Sequence, residues 1–234
     1  MGTLNVFTPA HLAPFVNLET LHISSVCFRL PPDEGHVCRL PRLRRLVLGH
    51  DTRLISDAAT WHQFFCPSTL PLLVHLALDA HVEIHAEGFE GPTLETVFQG
   101  IQSQLESVAL GNQFNGRLDP TLVESLVGLP KLQHLSLNLF HRSDFDPLSC
   151  DISGLSLESL HIPFDNLPLE SPLGEHVVIS EESLLSPKIG RFYIYGNGRL
   201  DSQELERALF GRSDRVSWID DSDIPPFENF VGGA

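Results

Sequence analysis

Histidine gives the first candidate for chemistry in this sequence, because two histidines lie four residues apart in the segment His81-Val82-Glu83-Ile84-His85. At this spacing two imidazoles can reach one metal ion from one helical turn or from one strand face. A third ligand is not evident, and the zinc deaminase pattern His-x-Glu also requires a downstream Pro-Cys-x-x-Cys that the sequence lacks. We therefore expect loop histidines here and no metal site.

Motifs for nucleophilic or nucleotide-dependent catalysis are also missing. The sequence contains neither Gly-x-Ser-x-Gly nor Gly-x-x-x-x-Gly-Lys-Ser/Thr. Gly196-Asn197-Gly198 supplies only two glycines of a dinucleotide-binding fingerprint. Ser, His and Asp are common, but no spacing orders them into a nucleophile–base pair. The sequence therefore predicts no enzyme activity and no cofactor.

The charge of the chain restricts its partners. Its 234 residues include 15 Lys and Arg against 30 Asp and Glu, which gives a formal net charge of -15. Such a field repels the phosphates of nucleic acids and of anionic membrane surfaces, so we expect neither as a partner. Residues 61–116 contain no Lys or Arg. We therefore expect this acidic part of the chain to attract a basic segment of a partner protein.

The compartment follows from what the sequence contains. The start, MGTLNVFTPAHLAP, has neither the basic nor the long apolar region of a signal peptide. No apolar run reaches the roughly 18–20 residues that span a bilayer. The four cysteines show no paired or Cys-x-x-Cys spacing. These features predict reduced thiols in an intracellular protein, cytoplasmic or nuclear.

One six-residue frame, Leu-x-x-Leu-x-Leu, recurs along the chain and defines the elements that must position any site. Its copies read LETLHI, LRRLVL, LVHLAL, LESVAL, LQHLSL, LESLHI and IGRFYI, starting near residues 18, 43, 73, 105, 132, 157 and 189. A degenerate eighth copy, SDRVSW, opens the segment 213–234, which we expect to cap the last repeat. Copies at near-regular intervals indicate one repeat domain over residues 1–234.

The frame predicts an α/β solenoid. Its fourth and sixth positions point to the same side of an extended strand, and stacked strands would bury these side chains in one continuous core. We expect a parallel sheet of about seven to eight short strands, with helices and turns on the opposite side. Helices are predicted in AATWHQFF, TLVESLV and SQELERALF, and chain reversals before the frames at Pro41, Pro71 and Pro130.

Over residues 15–220 this pattern resembles the leucine-rich-repeat family, and within it the cysteine-containing repeats of F-box-type proteins. The likeness is carried by Leu48-Gly49-His50-Asp51 followed by Leu54-Ile55-Ser56-Asp57, with Asp51 where the family has Cys, and by Gly196-Asn197-Gly198-Arg199-Leu200. The resemblance implies a curved horseshoe that holds a protein ligand, often as the substrate receptor of a ubiquitin ligase. The F-box itself is not found before Leu18, so we expect it to be lost or encoded elsewhere.

The strand residues that point away from the core should form columns on the solvated concave side. They mix polar, small and aromatic side chains, as recognition surfaces do, and both tyrosines of the chain fall among them. His75 and His134 share a column but lie two repeats apart, at roughly 9–10 Å, which is too far to hold one ion. The candidate partner-binding residues are Arg45, His75, Asp79, His134, Asn138, His161, Tyr193 and Tyr195.

The sequence thus predicts a protein-binding repeat module with a protein ligand on its concave face. One form of this function is substrate recognition for a ubiquitin ligase of the Skp–cullin–F-box type, with a Skp-type adaptor only if the F-box is supplied elsewhere. The alternatives are a regulator that binds an enzyme or a GTPase directly, and a non-functional fragment. The segment before Leu18 contains Leu12, Phe15 and Val16 and is more apolar than a repeat cap should be. We therefore expect a further domain or a partner to cover that end.

Overall fold

Each copy of the frame forms a strand in the computed structural model, which describes residues 6–29, 38–49, 52–55, 62–79, 81–82, 94–111, 121–137, 149–163, 178–179, 181–195 and 215–219. In chain order, the elements are β1 (Val6–Phe7), a 3-10 helix (Pro9–Leu12), β2 (Thr20–Ile23), β3 (Cys27–Arg29), β4 (Arg45–Leu48), β5 (Arg53–Ile55), β6 (His75–Leu78), β7 (His81–Val82), α1 (Leu94–Gln99), β8 (Ser107–Leu110), α2 (Thr121–Val127), β9 (His134–Leu137), β10 (Ser149–Cys150), β11 (Leu157–Pro163), β12 (Val178–Ile179), α3 (Glu181–Leu185), β13 (Ile189–Tyr195) and β14 (Val216–Ile219).

The main sheet contains eight strands in the order β14-β13-β11-β9-β8-β6-β4-β2. All neighbouring pairs in it are parallel, and equivalent frame positions face each other, as in Leu46↔Leu76 and Leu76↔Val108. The predicted parallel sheet and its strand positions are confirmed, and the degenerate eighth copy contributes β14. Successive strands therefore stack as coils of a solenoid.

A repeated backbone contact fixes this register at the strand starts. The Glu19 carbonyl oxygen accepts hydrogen bonds from the N–H groups of Arg44 (2.8 Å) and Arg45 (3.1 Å) in the next coil. The same double acceptance recurs at the carbonyl oxygens of Arg44, Val74, Glu106 and Gln133. Each of the first five coils thus satisfies two backbone donors of its successor at the point where the strand enters the sheet.

The side opposite the main sheet differs from the prediction in the N-terminal repeats. A second parallel sheet, of order β1-β3-β5-β7, follows the main strands there, where helices and turns were expected. The chain turns toward β3 through Ser25, whose φ of 55° lies in the left-handed region. The buried Thr52 hydroxyl donates a 3.0 Å hydrogen bond to the Ile23 carbonyl oxygen, which ties two coils together beside this sheet.

Helices occupy fewer positions than expected among the described residues. α2 confirms the helix predicted in TLVESLV, and residues 62–64 are helical within AATWHQFF. The helix predicted in SQELERALF lies outside the described residues. Pro41, Pro71 and Pro130 each occupy the second position of a turn closed by hydrogen bonds such as Leu43 N–H to Leu40 O at 3.1 Å. Proline favours that position because its φ is already fixed near the required value.

The core lies behind the main sheet and runs through all the coils. It contains the inward frame residues, such as Leu46, Leu76 and Leu135, all with 0% exposure. Gly100, after α1, is required by close packing, because a Cβ atom there would overlap the Phe65 carbonyl group.

Leu135→Ala should lower the free energy of unfolding by about 2–5 kcal/mol, because it leaves a cavity between two coils. Chemical denaturation of the full chain measures this loss. The matched control is Val127→Ala, since Val127 is 49% exposed on α2 and should change stability by less than about 1 kcal/mol. A loss below about 1 kcal/mol for Leu135→Ala would place that residue outside the core.

Apolar side chains are exposed at the N-terminal end, where β2 and β1 form the edges of the two sheets. Phe15 and Val6 are each 55% exposed and Val16 is 50% exposed, whereas Leu12 is buried. We expect the isolated chain to bind an apolar dye or to self-associate, since an uncovered edge and apolar surface favour both. Phe15→Ser combined with Val16→Ser should reduce both signals in fluorescence and sedimentation measurements. A chain that binds no dye and stays monomeric at high concentration would contradict this expectation.

Candidate functional site

The main-sheet side chains that point away from the core form two rows in strict register. The first row contains Thr20, Arg45, His75, Ser107, His134, Ser159 and Arg191. The second row contains His22, Val47, Ala77, Ala109, Ser136, His161 and Tyr193. Neighbouring members of a row are about 4.8 Å apart because they lie on adjacent strands. These two rows are called the site face below.

The middle of the site face is shielded from solvent, which corrects the expectation of solvated columns. Val47, Ala77 and Ala109 are at most 1% exposed, although none of them belongs to the core cluster. Ser107 and Ser136 are each 1% exposed. The second row is therefore built from short side chains where the first row has the longer Arg45, His75 and His134. Sequence alone gave these small residues no role, because their burial depends on neighbours in other repeats.

The C-terminal half of the site face contains a connected polar cluster. His134 Nδ1 lies 2.8 Å from Ser159 Oγ, and the same hydroxyl lies 3.4 Å from His161 Nε2. The His161 ring stacks on Tyr193 with centroids 4.5 Å apart and planes 12° apart. The structure therefore joins three predicted site residues through Ser159, which was not among the predicted site residues. Its place beside His134 follows from strand register, whereas its contacts with both histidines depend on the folded chain.

This Ser–His contact shows only two groups of a catalytic triad among the described residues. A triad needs a further group that orients the histidine, together with donors for an oxyanion. Among the described residues, Ser159 is the hydrogen-bond partner of His134, and no carboxylate binds that ring. The cluster instead fixes side-chain positions across β9, β11 and β13.

Burial keeps two histidines of the site face neutral near pH 7. Desolvation, with a smaller contribution from the nearby His134, lowers the pKa of His161 to about 4. Desolvation also lowers the pKa of His75. The negative charge of Glu106 raises this pKa, whereas Arg45, Arg44 and His134 lower it. A neutral imidazole carries one donor and one acceptor, so both rings can adapt to either kind of partner group.

The N-terminal half of the site face contains buried polar atoms that lie outside this cluster. Within the part of the chain that the structure describes, Arg45 Nε, His75 Nδ1 and Ser107 Oγ have no hydrogen-bond partner, and all three atoms are buried. They belong to adjacent members of the first row. Ser136 Oγ, in the second row, is in the same condition.

The remaining predicted site residues lie at the ends of the strands. The half-buried Asp79 extends over Gly111 of the next coil, where its carboxylate occupies the space that a Cβ atom would take. Tyr195 lies in β13, with its backbone between Pro163 and Ile219, and Asn138 lies outside the described residues. Glycine at position 111 thus makes room for an acid beside the site face.

Other candidate chemistry is not assembled in the described ranges. No group of three or more His, Cys, Asp or Glu residues that could hold a metal ion occurs there, and Glu83 and His85 lie outside them. Cys27, Cys38 and Cys66 form no disulfide within the described ranges. No helix in the described segments is both long enough and apolar enough to cross a membrane.

Comparisons with protein-family models, with curated proteins and with solved structures find no match to this chain.

The buried His161 should make the chain less stable in mild acid. Its folded-state pKa of about 4 lies below the ordinary value of 6.5, so its unfolded form binds more protons between these two values. Stability is therefore retained above pH 6.5 and falls as the pH drops toward 4. Between neutral pH and pH 5 the loss should be about 2 kcal/mol, measured by urea unfolding.

His161→Gln should remove most of this pH dependence, because Gln does not titrate. The matched control is His62→Gln, which changes an exposed histidine away from the sheet and should leave the dependence unchanged. Equal pH profiles for the wild type and His161→Gln would show that another group controls the acid sensitivity.

Proposed function

We propose that this chain is a leucine-rich-repeat module that binds another protein along the site face. The observation that carries the proposal is the register of the two rows, in which each coil presents side chains at the same height as its neighbours. Parallel strands hold such side chains in fixed columns, so many weak contacts can form with little loss of conformational entropy.

The composition of the site face supports a protein ligand. Its C-terminal half offers an aromatic ring, Tyr193, that is half-buried and held by stacking on His161. A tyrosine fixed in this way is a suitable hot spot, because it supplies a large contact area and little of its freedom is left to lose on binding. The cluster around Ser159 supports the ring from behind through His161.

The acidic character of residues 61–116 supports the proposal that the partner contains a basic segment. Residues 61–116 contain no Lys or Arg, and Asp79 lies at the end of the site face within this range. Electrostatic steering of a basic segment to this region would raise its association rate, with a strong dependence on salt. Asp79→Lys should therefore slow association and reduce its salt dependence.

The narrower proposal is that the module recognises substrates for a ubiquitin ligase of the Skp–cullin–F-box type. It rests on the likeness of residues 48–57 to cysteine-containing repeats. Co-purification of a Skp-type adaptor and a cullin from the native cell would support this role. Co-purification of an enzyme or a GTPase without the adaptor would favour direct regulation instead.

Tyr193→Ala should weaken capture of the native partner by roughly 1–3 kcal/mol, because it removes the aromatic anchor. Partners are first identified by affinity purification with the wild-type chain and then titrated against variants with unchanged thermal unfolding. Lys131→Ala, an exposed change outside both rows, is the control and should leave affinity unchanged. Unchanged capture by a variant that combines Tyr193→Ala, Tyr195→Ala and Asp79→Lys would move the binding site away from the site face.

A further inference from the structure

Three adjacent members of the first row each contain a buried polar atom that forms no hydrogen bond with the described residues. Arg45, His75 and Ser107 lie on β4, β6 and β8, which are consecutive in the sheet. Each has a buried polar side-chain atom without a hydrogen-bond partner in the described part of the chain. A buried polar group left unpaired destabilises the folded state, so a row of three such groups requires a physical reason.

We propose that Arg45, His75 and Ser107 bind a single carboxylate from the partner protein, an inference that rests on the proposed function. The Arg45 Nε–H can only donate, and the Ser107 hydroxyl can donate. The neutral His75 ring can place its N–H on either nitrogen. A carboxylate has two acceptor oxygens, so it can accept hydrogen bonds from neighbouring members of the row at the same time, and the charge of Arg45 strengthens the contact.

The charges around the three residues favour a monoanion over a phosphoryl group. The positive charges of Arg44 and Arg45 lower the pKa of His75, and the negative charge of Glu106 raises it. Asp79 follows on the same strand face. The neighbourhood is thus close to neutral, which suits one negative charge held by directed hydrogen bonds. A phosphoryl dianion would meet repulsion from both acids and from the net charge of -15. The ligand is therefore an Asp or Glu side chain among neutral or basic residues.

Ser107 is buried, so a ligand needs a route past its two neighbours in the row. Ser107 lies between His75 and His134, and these imidazoles flank its short side chain. His134 is held by Ser159, whereas Arg45 and His75 are only half-buried. Entry of a ligand to Ser107 therefore requires these half-buried side chains to move.

The arrangement also separates this site from the aromatic anchor. His134 and Ser159 lie between Ser107 and Arg191 in the first row, and they bond to each other. A partner segment lying across the sheet would thus meet the carboxylate site at one end and Tyr193 at the other. Because members of a row are about 4.8 Å apart, four strand spacings separate β6 from β13, about 19 Å. About six extended residues span that distance.

The test uses the full-length chain, with acetate and a matched peptide pair as probes. The peptides are Ac-Ala-Glu-Ala-NH2 and Ac-Ala-Gln-Ala-NH2, and inorganic phosphate is the comparison anion. Titrations at constant ionic strength follow the His75 imidazole signals by NMR. We expect saturable shifts with acetate and with the Glu peptide, and none with the Gln peptide. A bound carboxylate should also raise the pKa of His75, because it favours the protonated ring.

Two variants with the same net charge distinguish direct binding of the carboxylate from the effect of the net charge of the chain. Arg45→Gln should weaken binding of acetate and the Glu peptide by about tenfold, because it removes a charge-assisted donor. Lys188→Gln removes one positive charge at an exposed residue outside both rows and beyond a Debye length from the site, and should change affinity less than about twofold. Equal losses for the two variants would overturn the proposal.

Ser107→Ala provides a second, independent readout. If the hydroxyl is unpaired until the ligand arrives, this variant should weaken carboxylate binding and leave the melting temperature unchanged or raised. A lowered melting temperature would show that Ser107 already has a partner in the free protein, which overturns the proposal. Absence of a saturable His75 shift, or a shift with phosphate and none with acetate, would overturn it as well.

These outcomes can be told apart from failure of the proposed function. If partner capture depends on Tyr193 but acetate and the Glu peptide do not bind, the carboxylate site is wrong and the site face remains the binding surface. If both probes bind as expected but capture is insensitive to changes in the site face, the proposed function is wrong.

Discussion

The stacking of coils in register is the constraint on which the rest of this structure depends. Two conditions enforce it. Inward frame residues such as Leu46, Leu76 and Leu135 fill one continuous core, and a carbonyl oxygen at the start of each of the first five coils accepts two N–H groups from the next. A slip of one residue would turn every inward side chain toward the site face and would break both contacts. The alignment of the two rows is therefore a consequence of how the core is built.

The sequence predicts this sheet well because the frame repeats at intervals that only stacking explains. Strand positions, parallel pairing and the helix at Thr121–Val127 follow from periodicity and from helix-start signals. The second sheet could not be predicted in this way. Its strands, such as Arg53–Ile55, contain two or three residues, too few to show the alternation that identifies a strand. Their place is set by coil stacking, which brings Cys27 opposite Arg53.

The candidate site was predictable in outline and not in detail. The frame places Arg45, His75, His134, His161 and Tyr193 on one face, because outward positions alternate with inward ones. It does not show that Ser159 bridges two histidines or that Ser107 is buried. Those properties depend on residues from neighbouring repeats that become adjacent only after the coils stack. A serine in a strand otherwise has the appearance of an ordinary solvated residue.

Burial divides the site face into parts with different physical roles. In the first row, fixed positive charge lies at Arg45 and Arg191, with Ser107 and Ser159 between them. Charges near solvent act over distance and influence mainly how fast a partner arrives. Buried hydroxyl and imidazole groups act only at hydrogen-bond range, where a mismatched group leaves them unpaired and loses about 1–3 kcal/mol. The buried groups of the middle strands should therefore discriminate between partners. The charged residues around them should attract a partner to the site face.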